Sequence, residues 1–340
     1  MAGSQTRKEA LKKLRLLAYN AKSDVAAFRR KIDEAFYTPF LPNHVERTEC
    51  QYGGIPCDVL SPEMYASRRI MFYIHGGSFV GGSRASHRNF CASLAHKAYS
   101  RTIVPEYRLA PSSAFPAAIE DIQAAFRALF TEEQISRSLA ADAEAHGGAE
   151  PSAQPEIVIA ADGAGASIAT ALLLNLRGRY RKCVSRLVLF SPWLNLSDTS
   201  PAKASRKGTD GVISGDCLIR SSDAYTYSSN FTNPLVSPVF AEAEQLADFP
   251  PVYIQMGGTE LLLEDAKQFS ALLRNNGCSC RLDTWEGMPH LFQMADDCFS
   301  EAHDALDAFA AVLAGQDGGG AGRQRFENKP HLELGIRSEA

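Results

Sequence analysis

Residues 14, 17, 21, 25, 28 and 32 are Leu, Leu, Ala, Val, Phe and Ile, an apolar stripe at helical spacing that predicts a long amphipathic helix at the N-terminus. Around Gly53-Gly54 the period shortens to two, and VERTECQY, a glycine turn and IPCDVL predict a β-hairpin. Beyond it, short apolar runs alternate with helical patterns. IMFYI (70–74), TIV (102–104), IVIA (157–160), LVLF (187–190), VYIQM (252–256) and RLDTW (281–285) are strand candidates. Helical patterns cover 90–98, 117–130, 164–176, 261–273 and 302–313. Apolar strands separated by helices build a mostly parallel sheet covered on both faces. The expected fold is therefore α/β, with eight strands and an antiparallel hairpin first.

Three stretches break this rhythm. Residues 131–155 lack Phe, Trp and Tyr and read as an exposed insertion. Residues 197–233 lie between two strands and are too long for a simple loop, so they are expected to form a lid over the strand ends together with an N-terminal helical segment, 1–44. The sheet domain then spans 45–314, and the glycine-rich polar tail, 315–340, is expected to be disordered.

Composition narrows the classes. The chain has 340 residues, 45% of them hydrophobic, enough for a sizeable core. A net charge of −4 offers no basic surface for nucleic acid. The early lysines and Arg15 are interleaved with or closely followed by acidic residues, as on a solvated helix face. No run is long enough to span a membrane, and none near the start has the form of a signal peptide. The eight cysteines show no metal-site spacing, and without a secretory signal they read as reduced thiols in a cytoplasmic protein. No cofactor is called for, and the assembly is expected to be a monomer or homodimer.

In an open parallel sheet, ligands bind beyond the carboxyl ends of the strands. Those ends deliver His75-Gly76-Gly77-Ser78, then Ala161-Asp162-Gly163-Ala164-Gly165, then Gly257-Gly258-Thr259-Glu260, then Gly287-Met288-Pro289-His290. Singly, each has a plain structural reading: paired glycines make a tight turn, Glu260 complements a helix N-terminus, and a loop histidine is structural. Their order is more specific. A glycine-rich strand end, a strand-turn-helix elbow, an acid and a late histidine follow the chain order of α/β-hydrolases.

HGGSFVGGS (75–83), EYRLAPSSAFPAAIED (106–121), SPWLNLS (191–197), NPLVSPVF (233–240), PPVYIQMGGTELLLEDA (250–266) and GMPHLFQ (287–293) together resemble the hormone-sensitive-lipase group of carboxylesterases. That resemblance covers about residues 50–314 and implies an α/β-hydrolase fold. It also implies an oxyanion hole from the backbone N–H groups of Gly76, Gly77 and Ala164, with Glu260 orienting His290 as general base. The nucleophile is expected at position 163.

There the chain departs from the pattern, for G-x-S-x-G reads A-D-G-A-G and Gly163 has no attacking atom. Asp162 points elsewhere from the corner, and Ser167 lies about one helical turn away, roughly 6 Å along the axis. The elbow drives its central residue toward positive φ, a strain glycine largely avoids. The leading expectation is a carboxylesterase-like protein that binds a small ester-like or acid ligand with little or no hydrolysis, as some relatives serve as ligand receptors. A weak hydrolase using water activated by His290 and Glu260, and a partner-binding relic, are the alternatives. A phosphate-cradling turn fits less well, since Ile168 stands where the third glycine of G-x-G-x-x-G belongs.

Overall fold

A computed structural model of the chain describes residues 2–20, 24–38, 40–41, 44–64, 69–144, 155–205, 210–316 and 323–326. Nine strands form one sheet: β1 (Val45–Tyr52), β2 (Ile55–Pro62), β3 (Arg69–Ile74), β4 (Arg101–Pro105), β5 (Glu156–Asp162), β6 (Val184–Phe190), β7 (Val252–Gly257), β8 (Cys280–Trp285) and β9 (Arg323–Phe326). Their order is β1-β2-β4-β3-β5-β6-β7-β8-β9. β3 to β8 are mutually parallel, while β1, β2 and β9 run antiparallel to their neighbours. The eight expected strands and the opening hairpin are all present.

The helices are α1 (Ala2–Leu14), α2 (Val25–Phe36), α3 (Arg84–Ala98), α4 (Ala117–Glu144), α5 (Gly165–Asn175), α6 (Arg179–Lys182), α7 (Pro201–Ala204), α8 (Gly215–Tyr225), α9 (Ala243–Leu246), α10 (Leu263–Asn275) and α11 (Ser300–Leu313). Successive strand residues point to opposite faces, and β3 shows what each face meets. Phe72 packs edge-on against Phe126 of α4, whereas Tyr73 packs edge-on against Phe90 of α3. Phe90 in turn meets Phe190, which meets Phe309 of α11. Helices thus cover both faces, which explains why the inner strands read as unbroken apolar runs.

Three elements differ from the sequence expectation. The N-terminal stripe is split between α1 and α2, because Asp24 starts a new helix by accepting the Ala27 N–H at 2.8 Å. α4 runs on to Glu144, so 131–144 continues a helix rather than forming an irregular insertion; Ile135 and Leu139 are exposed on it. Residues 145–154 fall outside the described residues. Within the tail expected to be disordered, β9 adds a ninth strand along the β8 edge, and the remainder from 327 is outside the described residues.

The segments expected to form a lid meet over the strand ends. Arg220 of α8 lies 4.6 Å over the Tyr19 ring and donates to its hydroxyl at 3.1 Å. Arg29 of α2 donates to the carbonyls of Val80 and Ala110 at 2.8 and 3.0 Å. Asp265 of α10 accepts from Ser200 at 2.6 Å, tying α7 to the sheet domain. No helix among the described residues is long and apolar enough to cross a membrane.

Candidate active site

Mostly buried and apolar, β5 ends in a turn of two residues, Gly163 and Ala164, before α5. Gly163 sits at that corner with φ +46°, the left-handed region that favours glycine. Its N–H donates to Phe190 O at 3.1 Å, and its carbonyl accepts from Trp193 N–H at 2.9 Å. A Cβ placed there meets nothing nearer than His290 Nε2 and Leu291 Cδ1, each at 3.9 Å. Two residues on, a Cβ at Gly165 would lie 2.4 Å from the carbonyl oxygens of Ile74 and His75. Glycine at 165 lets α5 press against the end of β3.

Opposite the corner stand Glu260 and His290, both buried. His290 Nδ1 lies 2.9 Å from Glu260 Oε2, which fixes the ring and leaves Nε2 facing Gly163. The other carboxylate oxygen, Oε1, accepts from Ser191 Oγ at 2.7 Å and from the Gly257 N–H. Ser191 Oγ also accepts from Leu291 N–H at 3.1 Å, so one hydroxyl joins the acid to the histidine's loop. Burial alone would lower the imidazole pKa, but the bond and charge of Glu260, with Asp210 and Asp162 beyond, raise it above its ordinary value. Burial raises Glu260 too, against the donors that surround it.

Of Gly76 and Gly77, the two glycines expected to offer N–H groups from the turn after β3, only Gly77 lines the pocket. Gly76 donates its N–H to Asp162 Oδ1 at 2.8 Å, so it does not offer that N–H to a ligand. The pocket wall is formed instead by Gly77, Ser78, Gly163, Ala164 and His290, with Leu17, Trp193, Ile213, Leu218, Leu262 and Leu291 closing it. The reason is the tight packing at 76, where a Cβ would come within 2.3 Å of Asp162 Oδ2. Gly77, at φ +117°, turns the chain where a Cβ would strike Gly81 O at 2.2 Å. Ser78 anchors the turn to the N-terminal segment, donating to Leu17 O at 3.1 Å and accepting from Tyr19 N–H at 3.4 Å. The pocket is partly open and has room for about one water molecule.

Neither neighbour of the corner replaces a nucleophile. Asp162 is bound by Tyr73 OH at 2.7 Å and by Gly76, with His87 Nε2 at 3.5 Å. Burial opposes its charge, but His87 and these donors hold its pKa below the ordinary value. Ser167 donates to Trp193 O and is not among the residues lining the pocket. His75 is pushed down to about 3 by burial, with His87 adding to the effect, so it is a neutral ring stacked on Tyr107 at 4.4 Å. Sequence reasoning missed Ser191, Ser78 and the anchoring role of Asp162. All three stand at or just after strand ends, and Ser191 follows β6, which like β4 contributed no strand-end residue to the sequence expectation.

A model of the alpha/beta hydrolase fold matches residues 71–294, which include Gly77, Gly163, Glu260 and His290. The chain belongs to the alpha/beta hydrolase fold family. Among its relatives in that family is an acetyl-hydrolase from Streptomyces hygroscopicus, 29% identical over 74% of this chain and 77% of its own. An esterase from Acinetobacter venetianus is 30% identical over the same shares. Of solved hydrolases, an esterase from the bacterial hormone-sensitive lipase family superposes with a TM-score of 0.76 at 25% identity, over 92% of this chain and 99% of its own. A hormone-sensitive lipase from a metagenome library gives 0.74 at 26%, over 91% and 97%. This hydrolase thus sits among esterases and acetyl-hydrolases.

Proposed function

We propose that this chain is a carboxylesterase-type hydrolase in which Gly163 occupies the nucleophile position, and that it binds a small ester-like or acid ligand with little or no turnover. One observation carries the reading. A Cβ at Gly163 would stand 3.9 Å from His290 Nε2 without meeting any nearer atom, so a hydroxyl one bond further would reach hydrogen-bonding distance, roughly 3 Å. The relatives named esterase and acetyl-hydrolase support the ester class and a short acyl group. The N-terminal segment and residues around 210–225 act as the lid, since Leu17, Ile213 and Leu218 line the pocket.

The test is hydrolysis of p-nitrophenyl acetate by the native protein and by Gly163→Ser. A silent native protein and an active variant are expected; a folded variant that stays silent overturns the reading. The space beside His290 Nε2 admits a water, which favours direct water activation as a second reading. Native turnover abolished by His290→Ala would establish it.

A further inference from the structure

The pocket at Gly163 is lined by hydrogen-bond donors. Among its side chains, Ser78 donates its hydroxyl to Leu17 O and Trp193 donates its ring N–H to Asn195 O at 2.9 Å, so both protons are used. His290 is the remaining polar side chain of the wall, with 7% of it exposed and Nε2 unpartnered among the described residues. The backbone N–H groups of Gly77, Ser78 and Ala164 likewise donate to no protein acceptor among the described residues. No Asp or Glu lines the wall. In a hydrolase with a nucleophile, a hydroxyl would stand between these donors and the ring. Here glycine leaves them facing one another across the pocket.

Orphaned N–H groups are costly to leave unmet, and an anion meets several at once. A neutral ester offers them a weakly basic carbonyl and gives the ring nothing to pair with. A carboxylate offers two acceptor oxygens, one for the backbone donors and one for a protonated Nε2. Its charge is opposite to that of the ring. The space beside Nε2 is small and partly open, so a carboxylate group enters it with little else attached.

Resting on the reading of Gly163 as a vacated position, we propose that this pocket is a binding site for a small carboxylate such as acetate, held by the Gly77, Ser78 and Ala164 N–H groups and by protonated His290. Glu260 on Nδ1 makes the second proton on the ring favourable, as the raised imidazole pKa indicates. Binding therefore takes up a proton: it is strongest below the imidazole pKa and is lost as the pH rises through it. No bond is made or broken, and the ligand leaves unchanged.

Calorimetric titration of the native protein with sodium acetate, from pH 5 to pH 9 and in two buffers of different ionisation enthalpy, tests this. Above the imidazole pKa the affinity is expected to fall about tenfold per pH unit, with uptake approaching one proton. Methyl acetate binds more weakly and without that slope, and sodium chloride at equal ionic strength does not compete. Gly163→Ser, which fills the space and takes Nε2, weakens acetate at least about tenfold, and His290→Gln removes the proton uptake. Absence of saturable acetate binding, a pH-independent affinity, equal binding of methyl acetate, or displacement by chloride would each overturn the proposal. The native titration stands even where a variant fails to fold. An active Gly163→Ser with no acetate binding to the native protein ends the carboxylate site alone. Acetate binding beside an inactive, folded Gly163→Ser ends the vacated-nucleophile reading.

Discussion

Gly163 and Gly165 lie two residues apart on one turn and carry opposite reasons for being glycine. At 165 a side chain has nowhere to go, since its first carbon would sit 2.4 Å from two backbone oxygens of β3 and the residue after it. Gly76 and Gly77 in the facing turn are alike, with clashes at 2.3 and 2.2 Å. At 163 the same carbon would find ordinary contacts at 3.9 Å, and one of them is the catalytic-type imidazole. Packing demands three of these glycines and is indifferent to the fourth. Backbone strain is the single structural argument left for glycine at 163, and serine-bearing elbows tolerate strain of that size. On the reading proposed above, glycine at 163 is a difference in chemistry rather than in packing.

The largest effect that would sharpen this contrast is on catalysis. Loss of the nucleophile from a serine hydrolase lowers kcat by on the order of a million-fold. Gly163→Ser is therefore expected to raise p-nitrophenyl acetate hydrolysis by on the order of a thousand-fold or more over the native protein, read as initial rates. Adding His290→Ala to that variant returns the rate to background. A gain that survives loss of His290 would mean that the hydroxyl acts without the ring, and the frame would not be intact.

Next in size is the steric half of the comparison. Gly165→Ala forces α5 away from β3 and is expected to lower stability by about 3 kcal/mol or more, seen as a fall in the denaturant midpoint. Should Gly165→Ala cost less than 1 kcal/mol, the turn yields easily and the two glycines are not distinguishable by packing.

Much of this frame was legible in the sequence because strands buried on both faces leave an apolar signature that polar loops interrupt. VYIQM and LVLF marked β7 and β6 within a few residues, and the order of HGG, elbow, Glu260 and His290 named groups that the fold brings together. What the letters did not carry was direction. Gly76 and Gly77 are the same residue type, yet in the fold the first turns its N–H to Asp162 while the second lines the pocket. Ser191 was hidden for a similar reason: its role depends on a bond across 69 residues to Glu260 and another across 100 to Leu291. The split between α1 and α2 was missed because the apolar stripe keeps its phase through the break, while Asp24 supplies the cap.

Ser191 sets a third, smaller effect on the acid-base side of the comparison. Ser191→Ala removes a donor from a buried carboxylate and an acceptor from Leu291 N–H, which costs about 1–3 kcal/mol of stability. In the Gly163→Ser background it is expected to lower kcat several-fold with KM nearly unchanged, because the ring is less firmly held while the pocket wall is untouched. An unchanged kcat would show that Glu260 is positioned by Gly257 N–H and the ring alone.

The smallest effect is the most direct on the corner itself. Gly163→Ala adds the Cβ without the hydroxyl, so it isolates strain from chemistry. The left-handed φ costs about 1–2 kcal/mol for a residue with a side chain. The stiffer unfolded chain returns about 0.4–1 kcal/mol of that. A net loss of about 1 kcal/mol is expected, with no gain in hydrolysis. A loss as large as that of Gly165→Ala would mean that an unseen contact closes the corner to any side chain. The glycine there would then be a packing requirement, and a serine could never have fitted.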